Sequence, residues 1–188
     1  MRHLTGSLGL IVLIAALGGC CSSAIKQKAL PATSVNQQLD EGYSLLYKLM
    51  DDESKVGKLF IIRSADKPIT ELVKQIGQSC KAAKERLDQF AGANQQIHFD
   101  MGDLPYIELQ SRKLQASDDR HALLFAKGDK FERRLIFTQA QAMNYGVQLC
   151  RALQKEEQNP IRKAFLHDLE VQCRTLHDRL MNFLKVAS

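Results

Sequence analysis

The chain has 188 residues, with 26 basic against 21 acidic side chains, a formal charge of +5 and no tryptophan. Its charges are interspersed rather than gathered into a basic stripe, and aromatic platforms are few, which argues against a nucleic-acid binder. Its five cysteines, at 20, 21, 80, 150 and 173, are spaced too widely for a small disulfide scaffold or a zinc ribbon.

Met1-Arg2-His3 gives a short positive start, and Leu8 to Leu17 supplies an apolar run of about ten residues. That length matches a signal-peptide core and falls short of the ~20 residues a spanning helix needs. The run ends in Leu17-Gly18-Gly19-Cys20, which resembles the bacterial lipobox. The resemblance implies a diacylglyceryl thioether on Cys20, removal of residues 1–19 and acylation of the new amine. Several acyl chains anchor durably, because each buried methylene contributes about 0.8 kcal/mol. The residue after Cys20 is Cys21 rather than Asp. By analogy with Gram-negative sorting signals this points to the outer membrane, facing the periplasm. The expected partners are the membrane, through lipidated Cys20, and an envelope protein. Export also permits a disulfide among Cys80, Cys150 and Cys173. Pairing about a turn near Asn159-Pro160 sets Cys150 and Cys173 out of level, so buried free thiols are the expectation.

Residues 20–38 mix Lys26, Lys28, Pro31, Thr33, Ser34 and Asn36 without periodicity and read as a flexible tether. Residues 39–188 read as one helical domain. A first helix is predicted from about Leu39 to Ser64, with Leu46, Leu49, Met50, Val56, Gly57 and Phe60 on one stripe. Glu53 falls inside that stripe, and an isolated buried charge is costly, so a salt bridge to a neighbouring Lys or Arg is expected. Asp66 is a candidate N-cap with Pro68 in the first turn. The second helix then runs to about Ala91, burying Ile69, Leu72, Val73, Ile76, Cys80, Ala83, Leu87 and Phe90, and Gly92 stops it.

Residues 93–127 exceed the usual helix connection of about two to eight residues. Short helices are predicted there, one after Asp103-Leu104-Pro105 and one capped at Ser117. A third long helix is predicted from Asp129 to Gln158, burying Phe131, Leu135, Thr138, Ala142, Tyr145, Leu149 and Leu153. A fourth runs from Ile161 to Val186 with Phe165, Leu169, Leu176, Leu180 and Phe183 inward, and with Cys173 and His177 on the edge of the stripe. The fold class is all-α, and a four-helix bundle with a long crossover between its second and third helices accounts for the pattern.

The order of Glu53-Ser54-Lys55-Val56-Gly57-Lys58-Leu59, Leu104-Pro105, Leu123-Leu124, Gly128, Phe131-Glu132-Arg133 and His177 resembles a family of exported bacterial ferritin-like proteins of unknown function. The resemblance covers about Leu45 to Leu184 and implies a ferritin-like bundle. The departures are chemical. Ser79-Cys80 stands where the family has Asp-His, Met143 stands where a His is expected, and the chain contains no Glu-x-x-His. The remaining candidate metal set, Glu53, Cys80, Met143 and His177, suits copper(I) better than a di-iron centre, and it is also what a lost, repacked site looks like. No cofactor is expected; copper, iron or zinc is the alternative.

Other constellations are weaker. His167-x-x-Glu170 and Cys173-x-x-x-His177 would each need a third ligand, and a nucleophilic Cys80 would need His177 as its base. No phosphate-binding glycine loop, nucleophile elbow or EF-hand loop occurs. The sequence therefore predicts a non-enzymatic envelope lipoprotein acting as a helical binding or structural module. The alternative is a metal-binding or redox protein with a soft-ligand core site.

Overall fold

A computed structural model of the chain describes residues 35–92, 97, 99 and 106–186. The chain divides into two compact units, residues 1–32 and 33–188, and every described residue belongs to the second. Cys20, the leader and most of the tether lie outside the described residues.

Among the described residues every regular element is helical. Helix α1 spans Val35–Glu53 and is followed by a 3-10 helix, Val56–Ile61. Helices α2 (Lys67–Gly92), α3 (Tyr106–Phe125), α4 (Asp129–Glu156) and α5 (Pro160–Val186) complete the set. The predicted first helix is thus split. The Ser54 hydroxyl bonds back to the Asp51 carbonyl and the Lys55 N–H reaches only Asp52, so the ladder tightens into i→i+3 bonds. The two short helices expected in the connection are one 20-residue helix, α3, with Ser117 in its interior.

The four helices α1, α2, α4 and α5 enclose the core, and contacts fix their directions. Lys84 lies over the Tyr47 ring while Gly77 abuts the Glu53 carbonyl, so α2 runs antiparallel to α1. Gly42 abuts Leu153 and Glu53 meets Gln139, so α4 also runs antiparallel to α1. Gln75 pairs with Arg179 and Phe90 packs edge-on against Phe165, which makes α5 antiparallel to α2. Arg151 meets Glu170 and Gly146 abuts Cys173, making α5 antiparallel to α4. It follows that α2 and α4 are parallel. The chain between them must return along the length of the helices, and α3 does so on the outer side of α4, joined by Arg112–Tyr145 and Asp119–Arg134.

Burial follows the sequence pattern closely in α2, where all eight predicted inward residues are buried. In α4 the buried centre is Gln139, Met143, Gly146, Val147 and Cys150, one side of the predicted stripe; Thr138, Ala142, Tyr145 and Leu149 are half-buried. The reason is that α4 meets all four other α-helices, α1, α2, α3 and α5, and presents a wide buried face. Cys173 is central in α5 rather than at its edge. Gly146 permits that packing, because a Cβ there would lie 3.1 Å from Cys173 Sγ. Gly128, at φ +51°, opens α4 in a backbone conformation that favours glycine.

Candidate functional site

The core is built almost entirely of apolar side chains, so its few polar groups identify where chemistry or specificity resides. Glu157 is fully buried at the end of α4. It continues the row Gly146, Cys150, Leu153 at helical spacing, which carries its carboxylate inward. The Tyr43 hydroxyl donates to Oε2 at 2.7 Å. Arg162 donates from Nε to Oε2 at 2.7 Å and from Nη2 to Oε1 at 2.9 Å, a bidentate pair. The Asn159 N–H donates to Oε1 at 2.7 Å.

Burial alone would raise the Glu157 carboxyl pKa. The Arg162 guanidinium, the Tyr43 hydroxyl and the Asn159 N–H outweigh it and hold the group below the ordinary carboxylate value. Burial, together with the neighbouring carboxylate, pushes the Tyr43 phenol far above its usual value. Asn159 also caps α5, its Oδ1 accepting from the N–H groups of Ile161 and Arg162. Every oxygen of Glu157 is committed, so the cluster joins α1, α4 and α5 and has no free valence for a substrate.

A further polar centre pairs half-buried Glu53 with buried Gln139. Gln139 Nε2 donates to Glu53 Oε2 at 2.8 Å, and Gln139 Oε1 is buried without a hydrogen-bond partner. The partner expected from the sequence was a cation; the partner found is a neutral amide. Burial raises the Glu53 pKa to about 7, the Gln139 bond lowers it in part and the Asp52 charge adds to the rise. Such a group changes charge near neutral pH.

The four candidate metal ligands are placed differently. Cys80 and Met143 are buried in the apolar core. Glu53 lies near Cys80, close enough for its charge to raise the thiol pKa. His177 is half-buried, with Nδ1 3.1 Å from Asp178. It shares an edge of α5 with Glu170, which faces Arg151 of α4, whereas α2 meets α5 along the edge carrying Gln172 and Arg179. Cys80 and His177 therefore lie on different sides of α5, and His177 is not positioned as a base for Cys80. Among the described residues no three His, Cys, Asp or Glu side chains form a group that could hold a metal ion. His167 is exposed, and Glu170 is engaged by Arg151, Gln154 and Arg174 rather than by His167.

Cys80, Cys150 and Cys173 are free and buried. Burial drives all three thiols upward, Cys173 to about 12 and the other two further still, so none carries appreciable thiolate at neutral pH. Peptide-mapped alkylation should accordingly label these three positions only when the fold opens, with labelling tracking the denaturation curve. Rapid labelling of Cys80 in native buffer would instead mark it as a reactive thiol.

Sequence reasoning did not identify Gln139, Glu157 or Arg162. A signal was present for Gln139 and Glu157. Gln139 continues Leu135 and precedes Met143 at four-residue spacing, and Glu157 continues Leu153 in the same way. Polar residues on an apolar row mark a buried network as readily as Glu53 does.

No family model, no curated protein and no solved structure matches the chain.

Proposed function

We propose that the protein is a lipid-anchored envelope protein of a Gram-negative bacterium, held by Cys20 at the outer membrane and facing the periplasm. Its ferritin-like four-helix domain then serves as a non-enzymatic binding or structural module. The observation that carries the reading is Leu17-Gly18-Gly19-Cys20 at the end of a short apolar leader. The parallel course of α2 and α4, with antiparallel pairs on either side, supports the ferritin-like connectivity. The commitment of Glu157 to four donors and the high thiol pKa values support a domain that binds rather than reacts. Exposed Ile61 and Ile62 at the end of the 3-10 helix offer apolar surface to an envelope protein partner.

The reading has a direct test. Expression in a Gram-negative host fed labelled palmitate should place label on the chain, and Cys20→Ala should abolish both the label and co-flotation with neutral vesicles. An unlabelled wild-type chain overturns the anchor. Stoichiometric copper, iron or zinc in protein purified without a metal-affinity tag, lost on Cys80→Ser, would overturn the non-metal module in favour of a soft-ligand site.

A further inference from the structure

Helix α3 is amphipathic in the reverse sense to the other helices. It is joined to α4 by polar contacts, Arg112 Nη1 donating to the Tyr145 hydroxyl at 3.0 Å and Arg134 Nη2 donating to Asp119 at 2.8 Å, while Leu123 packs partly against the core. The large apolar side chains point elsewhere. Tyr106, Ile107, Leu114 and Phe125 are 71, 75, 65 and 69 % exposed, and Leu124 is 37 % exposed. On a helix of 3.6 residues per turn these five fall within about 100° of the circumference, roughly opposite Arg112, Asp119 and Leu123. His121 lies on the same face, stacked on Phe125 with ring centroids 4.4 Å apart.

The flanks of this face differ in charge. Lys113 and Arg120, both exposed and seven residues apart, border one edge, and exposed Lys127 follows just beyond the helix. The other edge carries one acid, Asp118; the neighbouring Asp119 is paired with Arg134. A second copy of the chain is a poor match, because an antiparallel pair of α3 helices brings like edges together and sets Lys113 and Arg120 against their own counterparts. A partner helix in a groove would call for unbroken anchors at i, i+3, i+4 and i+7, whereas Gln110 and Ser117 interrupt this face. An interfacial helix presents apolar anchors and amphipathic rings on one side with basic residues beside them, and it tolerates interruptions.

We propose that α3 lies in the headgroup layer of an anionic lipid membrane, with Tyr106, Ile107, Leu114 and Phe125 inserted and Lys113, Arg120 and Lys127 on the anionic headgroups. This is a second, non-covalent membrane contact beyond the anchor at Cys20. It rests on the anchor reading only for proximity: the chain from Cys20 to Val35 spans at most about 50 Å when extended, which keeps the domain concentrated at the bilayer.

Because the chain has no tryptophan, Leu114→Trp creates a single reporter. The full chain carrying it is reconstituted with vesicles of phosphatidylcholine alone or with a third phosphatidylglycerol, with and without bromine-labelled acyl chains. With the anionic lipid the emission should shift to the blue and brominated chains should quench it at least about twofold, while Gln115→Trp, on another side of α3, stays unquenched. Lys113→Gln with Arg120→Gln should weaken the vesicle affinity about tenfold or more. Phe125→Trp repeats the measurement at the far end of the helix if the Leu114 variant melts early.

Absence of quenching in both reporters overturns the proposal. So does equal quenching without phosphatidylglycerol, or a blue shift that grows with protein concentration in the absence of lipid, which would assign the face to a second copy. Flotation with neutral vesicles reports the anchor separately, so its failure and the failure of the α3 contact are distinguishable.

Discussion

Arg162→Leu should destabilise the fold by about 3–5 kcal/mol, because it leaves the fully buried Glu157 carboxylate without its cation. Small domains have about 5–15 kcal/mol in total, so the variant should be marginal at physiological temperature. The pH dependence distinguishes this cause from a packing loss. In the native chain the Glu157 pKa is lowered, so its contribution is fully present above the ordinary carboxylate value of 4.5 and is lost as pH falls through the lowered value. Without Arg162 the burial that already acts on Glu157 is less opposed. The slope should weaken or invert, and the variant should recover stability on acidification. Tyr43→Phe removes one donor and should cost less, about 1.5–3 kcal/mol. Urea denaturation across pH 3–8 measures all three chains; equal midpoints for Arg162→Leu and wild type would show that the pair contributes nothing.

Glu53→Gln should have the opposite sign. With its pKa raised from 4.5 to about 7, Glu53 binds its proton more tightly in the folded than in the unfolded chain. Stability that is fully present below 4.5 is therefore lost as pH rises to about 7, by about 3 kcal/mol in all. Glutamine keeps an acceptor for Gln139 Nε2 without the charge. The substituted chain should be more stable than wild type above pH 7 and should lack the slope between those values. Thermal melts at pH 4, 6 and 8 read the difference directly. A wild-type chain whose stability rises from pH 5 to 8 would show that Glu53 is ionised at no cost.

These two carboxylates show how far the sequence can be read. Both lie on apolar rows, and that much is visible from spacing. What is not visible is the partner, because Gln139 is 86 residues from Glu53 and Tyr43 is 114 from Glu157. Only the side-by-side course of α1 and α4 brings them together. The inward face of α2 was legible because it combines a strict apolar period with polar or charged residues at most of the remaining positions. The face of α4 was less so, since a helix touched by four others buries polar and small residues such as Gln139 and Gly146 that carry no apolar signal. In α3, Ser117-Asp118-Asp119 has the composition of a cap, yet Asp119 is engaged by Arg134 and the helix continues through it. The reversed face of α3 was not foreseen, because periodicity alone reports that a stripe exists and not which way it points.

The antiparallel packing of neighbours makes α1 and α5 parallel, and this sets a distance scale for the domain. Tyr43, midway along α1, is level with Arg162, near the start of α5, through their shared carboxylate. From there α5 continues to Val186, and its 27 residues rise about 40 Å. The chain thus enters the domain at one end and leaves the last helix at the other. A label or fusion placed after α5 stands about a full helix length from the level of Tyr43 and Arg162.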